Sequence, residues 1–328
     1  MTSPAPEFLA VTGPTASGKT DLSLALADRV SVEVISMDSR QVYRGMDIGT
    51  DKVDSSARAA VPHHGLDLVA PDERYSAGRF ARDARAWIGE IGARGSLPLL
   101  VGGTGFFLRA VVDPVFAEPP LDPDRLEALR AYLRRQDRER LGRWVGRLDP
   151  ARASLAIEGG PQRLGRTIEV ALLSGRPLSW WHREAPAEAD GLPGVVVVLD
   201  VPRDEMDLRI DSRVASMVER GLVDEVRGLL DDGYDDDAPG MSGTGYREIA
   251  AHLRGEKTLD EAIEEIRRNT RKYARRQLTW FRHQLPESAL WIDATAPAGE
   301  QADAALAAWE AAGGRVRWTE PLKHEVRT

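Results

Sequence analysis

Short apolar runs alternate along this chain with stretches of helical spacing. "FLAVTG" (Phe8 to Gly13) has strand length and ends in glycine, and the next segment places Leu22, Leu24, Leu26 and Val30 at helical intervals. "VEVISMD" predicts a second strand, "SLPLLVGG" a third, and "GVVVVLDV" (Gly194 to Val201) a fourth, the most β-branched of all. "LWIDA" is a further short candidate. Near-continuous apolar runs joined by helices describe a parallel sheet covered on both faces, so the expected core is α/β.

The pattern changes between the third and fourth strands. From about Leu121 to Leu178 the chain is rich in Arg and Leu, keeps helical spacing and offers no strand, and the Pro/Gly-rich "EAPAEADGLPG" closes it. An all-helical insertion domain over 119–194 is expected, interrupting a core made of 1–118 and 195–296. The Ala-, Gly- and charge-rich tail, 297–328, reads as peripheral or partly disordered.

Composition fits this outline: 328 residues, 42% hydrophobic and 29% charged, suffice for about two domains. No window approaches the roughly 20 apolar residues of a membrane span, and the N-terminus lacks the marks of a signal peptide, so a cytoplasmic location and no membrane partner are expected. With no cysteine there is no disulfide or thiolate metal site. The adjacent His63 and His64 have no flanking carboxylate and read as structural or loop residues rather than metal ligands.

A net charge of −8 does not exclude a nucleic-acid partner, because binding follows local charge. Acid gathers in "DDGYDDDAPG", whereas Ile266 to His283 contains none. Within that stretch Arg267, Arg271 and Arg275, and beside them Arg268, Lys272 and Arg276, form two i, i+4 rows on one helix. The absence of neutralising acid favours a phosphate-tracking face for RNA over a merely solvated one. Tyr273, Trp280 and Phe281 on the other flank read as core anchors.

The most specific local motif is "GPTASGKT", Gly13 to Thr20, which matches G-x-x-x-x-G-K-[ST] after a strand and at the start of a helix. Backbone N–H groups of Gly13, Thr15, Ala16, Ser17 and Gly18 would cradle a diphosphate or triphosphate. Lys19 adds a charge and Thr20 a ligand for Mg²⁺. The later strand "LPLLVGGTG" lacks the acid that usually holds the metal in phosphoryl transfer. Asp38, after the second strand, could orient or deprotonate a nucleophile, or simply cap a turn; the residues alone leave both open. Arg209 and Arg213 lie four apart on a predicted helix and could clamp the diphosphate opposite Lys19, with surface ion pairing as the alternative.

"GPTASGKT", "MDSRQVYRGMDIGT", "VGGTGFF", "PQRLGRTIEV", "GTGYREIAAHLRGE" and "RRQLTWFR" follow one another in the order and at about the spacing of the tRNA dimethylallyltransferases. The chain resembles that family from Phe8 to about Asp293. The resemblance implies a P-loop core with a helical insertion, moving a dimethylallyl group from dimethylallyl diphosphate to N6 of the adenine beside the anticodon of tRNA, position 37. Mg²⁺ is the implied cofactor, and a monomer is expected. By the same resemblance Asp38 is the base, Thr104 sits near the reacting centre and Arg213 is the favoured member of the arginine pair. "DSRQ" would further supply Ser39, Arg40 and Gln41 to hold the extruded base and its neighbours. Gln162, Arg163, Arg166 and, more weakly, Arg247 carry over as tRNA contacts, joining Arg271, Arg275 and Arg276 of the basic helix. Two other enzymes would share the P-loop and the acid: an adenylate isopentenyltransferase, which needs neither "QRLGR" nor the basic helix, and a small-molecule kinase, which needs ATP turnover.

Overall fold

A computed structural model describes residues 4–113, 115–116, 119–185 and 187–318. The central feature is a parallel sheet of β1 (Phe8–Thr12), β2 (Val32–Ser36), β3 (His63–His64), β4 (Leu97–Val101), β7 (Gly194–Asp200) and β8 (Leu290–Asp293), in the order β3-β2-β4-β1-β7-β8. Every residue of β1 and β2 is buried, as are Val196 to Leu199 of β7. That is why these strands read as continuous apolar runs rather than as alternations: both faces are covered.

In this first unit the helices are α1 (Lys19–Ala27), α2 (Ser55–Ala60), α3 (Ala77–Ala93), α4 (Gly105–Val112), α10 (Arg203–Glu219), α11 (Leu222–Asp231), α12 (Tyr246–Leu253), α13 (Leu259–Gln284) and α14 (Ala298–Ala311). α13 starts at a capping box, in which the Thr258 hydroxyl accepts from the Glu261 N–H and Glu261 reaches back to Thr258. Phe281, Ala274 and Ile266 turn its apolar stripe into the core.

The tail reading needs correction. α14 buries Gln301, Ala302, Ala305, Leu306 and Trp309, packs against α1, and is pinned by an Arg29–Asp303 ion pair at 2.8 Å. An Ala-rich face buries well wherever two helices approach closely, which composition alone does not register. Residues 319–328 of the tail lie outside the described residues.

The second compact unit spans Asp113–Gly191. It holds α5 (Pro123–Arg134), α6 (Arg138–Leu148), α7 (Ala153–Glu158), α8 (Pro161–Ser174) and α9 (Leu178–Glu184). Leu141 and Val145 of α6 meet Leu164 and Ile168 of α8, i, i+4 pairs that give this unit a core of its own. To the expected helices it adds a two-stranded antiparallel ribbon, β5 (Val115–Phe116) with β6 (Ala187–Ala189). Among the described residues no helix is long and apolar enough to cross a membrane.

Candidate functional site

A cavity of about 930 Å³ opens where β1, β2 and β4 end, lined by Thr15 to Thr20, Ser36 and Asp38, Gly102 and Gly103, by Arg209 and Arg213 of α10 and Arg220 just past its end, and by Tyr273 and Gln277 of α13. A parallel sheet offers its ligand crevice at the strand C-termini. A second cavity of about 600 Å³ beside β7 and β8 is lined from the "RRQLTWFR" motif by Arg275, Leu278, Thr279 and Arg282, and holds none of the phosphate-loop residues or Asp38.

The phosphate loop has the backbone its sequence requires. Gly18 at φ 88° is the N-cap of α1, no side chain caps the helix, and Ala16 also sits at positive φ (62°), so the first N–H groups of α1 face the cavity without a local acceptor. Lys19 lies back across this loop, donating to the carbonyls of Pro14 at 2.7 Å and Gly13 at 3.2 Å. Burial, reinforced by the Arg213 guanidinium and partly offset by Asp38 and Asp51, brings its pKa down to about 7. Arg209 and Arg213 do share a face of α10 and line the cavity. Each also has an acid: Arg209 pairs with Glu205 at 2.8 Å and Arg213 with Asp51 at 3.4 Å, while Arg220 holds Asp51 from the other side at 2.8 Å. The clamp and ion-pair readings therefore describe the same two residues.

Asp38 is partly buried, and its Oδ1 accepts the Arg40 backbone N–H at 2.8 Å. Oδ2 meets no donor among the described residues. Thr104 Oγ1 accepts the Ser39 N–H at 3.0 Å, which ties the "GGTG" loop to the acid. Gly102 admits this approach: a Cβ there would stand 2.1 Å from the Met37 carbonyl oxygen. Arg40 donates to Pro239 O at 2.8 Å and Ser242 Oγ at 3.2 Å.

Gln41 lines the cavity beside Asp38, with both ends of its amide engaged within its own loop. Its Oε1 accepts from Ser36 Oγ at 2.8 Å and its Nε2 donates to Thr50 O at 3.1 Å, so both ends of the amide hold the "DSRQVYRG" loop together. His63 lines the cavity, with its Nδ1 2.7 Å from Val61 O, and His64 Nε2 contacts Glu33 at 2.9 Å.

The basic helix divides in two. Arg271 binds Asp211 of α10 through both carboxylate oxygens and lies 3.8 Å from Asp207; Arg267 reaches Glu264, and Arg275 stands 3.7 Å from Asp207. The expectation that no acid neutralises this stretch fails for that row, because Asp207 and Asp211 come from α10 and Glu264 from the turn of α13 just before the stretch. Arg268, Lys272 and Arg276 are exposed and make no ion pair among the described residues. Tyr273 is likewise not a core anchor. It is 39% exposed, lines the cavity, and its hydroxyl is near enough to Asp38 that burial and that carboxylate push its pKa up to about 12.

In the second unit Gln162, Arg163 and Arg166 stand on the first two turns of α8, Gln162 and Arg163 exposed and Arg166 3.9 Å from Glu169, whose oxygens also hold Arg130. Arg247 begins α12 in the first unit, 56% exposed. Among the described residues no three His, Asp or Glu side chains gather into a metal-binding group. Thr20, whose hydroxyl is an oxygen donor of the kind a hard divalent cation takes, lines the cavity. The residues that sequence reasoning missed are Gln277 and Asp51, whose partners are distant in sequence, and Tyr273, which reads as a core residue from its neighbours alone.

The chain is similar to known proteins over most of its length. The IPP transferase family model matches residues 41–284, and the isopentenyl transferase model residues 6–57. The chain is 42% identical over 275 residues to tRNA dimethylallyltransferase 2 of Geotalea uraniireducens strain Rf4, covering 84% of this chain and 89% of that protein. It is 43% identical over 293 residues to the tRNA dimethylallyltransferase of Thermomicrobium roseum, covering 88% and 87%. Among solved structures it is similar to the tRNA isopentenylpyrophosphate transferase of Bacillus halodurans, with a TM-score of 0.67 at 35% identity over 93% of this chain and 97% of that one. A eukaryotic dimethylallyltransferase acting on tRNA shares the fold, with a TM-score of 0.76 at 24% identity over 96% and 81%.

Proposed function

This chain belongs to the IPP transferase family, the tRNA dimethylallyltransferases, and from that membership we propose that it transfers a dimethylallyl group from dimethylallyl diphosphate to N6 of adenine 37 in tRNA, in the cytoplasm. The observation that carries the reading is the cavity, in which a phosphate loop with an uncapped helix N-terminus faces Asp38 across one crevice. Phosphoryl transfer would also use the loop, but it has no need of an acid placed beside an acceptor rather than on the metal.

The donor diphosphate lies on the N–H groups of Ser17 to Thr20, with Lys19, Arg209 and Arg213 around it. These charges act most strongly as the C1–O bond breaks and negative charge collects on the leaving diphosphate. Adenine N6 attacks C1, the C–N bond forms, and the N6 proton passes to Asp38, whose Oδ2 meets no donor among the described residues. Thr104 keeps the Ser39 backbone, and so the acid beside it, in place. Thr20 would hold Mg²⁺ together with the diphosphate, where it would neutralise leaving-group charge. The adenine must leave the anticodon stack to reach this crevice. Ser39 and Arg40 border the site of the flipped base, and Gln162, Arg163 and Arg166, which belong to the second unit, are further tRNA contacts. Arg247 is a weaker contact, and Gln41 acts by shaping the "DSRQ" loop.

Among the basic residues of α13, Arg276, with Arg268 and Lys272, is the phosphate-contacting set. Every group in this scheme comes from one chain, so a monomer suffices. The test is incubation of purified protein with dimethylallyl diphosphate, Mg²⁺ and unmodified tRNA, followed by nucleoside mass spectrometry. A five-carbon gain on adenosine is expected; ATP-dependent phosphorylation without it would return the site to a kinase.

A further inference from the structure

Gln277 stands on α13, 7% exposed, between the two loops on which the reaction depends. Its Oε1 accepts the backbone N–H of Thr15, in the phosphate loop, at 2.9 Å. Its Nε2 donates to the carbonyl of Gly103, in the "GGTG" loop, at 2.8 Å. Thr15 N–H can only donate and Gly103 C=O can only accept, so the amide has one orientation and both of its ends are committed. The fit is close: a Cβ on Gly103 would come within 2.3 Å of Gln277 Nε2. One turn on, Trp280 closes over Gly105, and one turn back, Tyr273 feels both Asp38 and Thr104.

The two loops have different duties in the proposed reaction. Thr15 belongs to the backbone that holds the diphosphate, and hence C1. Gly103 leads into Thr104, whose hydroxyl receives the Ser39 N–H beside Asp38, and hence sets the acceptor side. Nucleophile and carbon must stand about 3–3.5 Å apart and in line before the bond can form. We propose that Gln277 is a positioning residue for the transfer, holding the donor loop and the acceptor loop in one register through its two amide hydrogen bonds; this rests on the prenyl-transfer reading above.

If so, loosening the amide leaves both substrates bound and spoils their alignment. Water then competes for C1: its oxygen bonds to C1, the C1–O bond to diphosphate breaks, a proton is released, and the donor is lost as the five-carbon alcohol. Gln277→Glu keeps an acceptor for Thr15 but sets a carboxylate oxygen against the Gly103 carbonyl. Gln277→Met keeps the length and removes both hydrogen bonds, and is run in parallel so that the result does not hinge on how one variant folds. The measurements are the single-turnover rate constant with labelled dimethylallyl diphosphate and a saturating anticodon stem-loop, the Kd of the donor, and the ratio of alcohol to prenylated RNA. A fall of roughly 10- to 100-fold in the rate constant, with donor Kd within about threefold and a raised alcohol fraction, is the expected result. A residue that only supports the fold would lower the amplitude, the fraction of active molecules, and leave the rate constant unchanged. That outcome, or a rate that falls in step with donor affinity, overturns the proposal. Wild-type protein that forms no prenylated RNA overturns the prenyl-transfer reading and this inference with it, whereas active wild type with unchanged variants overturns this inference alone.

Discussion

Two rows of cations run along α13, one residue apart in sequence and identical in formal charge: Arg267, Arg271 and Arg275, and Arg268, Lys272 and Arg276. The first row lies against α10, where Asp207 and Asp211 take it up; the second faces outward and is unpaired among the described residues. Charge offered to a ligand is therefore a tertiary property, decided by which helix lies alongside. The "DSRQ" segment repeats the lesson: Gln41 has both amide ends engaged, while Asp38 Oδ2 meets no donor among the described residues.

The largest effect should come from the open member of that second pair. Asp38→Asn preserves shape and the hydrogen bond from Arg40 but removes the proton acceptor, and single-turnover transfer is expected to fall by about 10²–10⁴ with stem-loop affinity retained. Gln41→Ala should instead lower the thermal midpoint and act on rate only through a loosened loop. A rate for Asp38→Asn within a few-fold of wild type would mean that the acid only positions, and that an engaged residue nearby supplies the base.

The two rows are separated next. Replacing Arg268, Lys272 and Arg276 together by Ala should flatten the dependence of log K on log salt by about one unit for every phosphate that is no longer neutralised, without changing the folding midpoint. Arg271→Ala should do the reverse. The guanidinium is 27% exposed and satisfies Asp211 through both oxygens, so its loss leaves carboxylates at a helix interface and should cost about 1–3 kcal/mol of stability with the salt slope intact. Binding titrations at several salt concentrations, beside urea unfolding, measure both. A flattened slope for Arg271→Ala would mean that RNA pulls this arginine away from α10.

The parts of the molecule that were legible in the sequence are local. Strand apolarity, the glycines of the phosphate loop and the helix that follows it depend on neighbours a few residues away, and the structure contains all of them. The illegible parts depend on partners far along the chain. Asp211 lies 60 positions before Arg271, Gly103 174 before Gln277, and Thr15 262 before it. A stretch without acid looks uncompensated until α10 is placed beside it. Tyr273 looks like a core residue because aromatic side chains near a helix end usually anchor it; its place one turn before Gln277 on the face that meets the loops was the available signal. Trp309, at 3% exposure within the Ala-rich α14, was hidden by the composition of its own helix.

Lys19 stands between the two classes, engaged by its own loop yet placed where a ligand would take it over, and it sets the smallest prediction. Its pKa is about 7 rather than 10.5, because burial and Arg213 disfavour the ammonium more than Asp38 and Asp51 favour it. A bound diphosphate adds negative charge beside the amine and must raise that value. The sign follows from linkage: below pH 7 the lysine is already protonated and binding takes up no proton, whereas at pH 8 it is mostly neutral and binding draws in up to one. Donor affinity should accordingly be flat below pH 7 and weaken by up to tenfold per pH unit above it, until the raised pKa of the bound state is passed. Calorimetric titration of dimethylallyl diphosphate at pH 6 and pH 8, each in two buffers of different ionisation enthalpy, counts the protons. Lys19→Met should abolish the uptake as well as weaken binding. No uptake by wild type at pH 8 would mean that the ammonium is already held charged by its contacts with Gly13 and Pro14, and that the loop has paired this cation as firmly as α10 pairs Arg271.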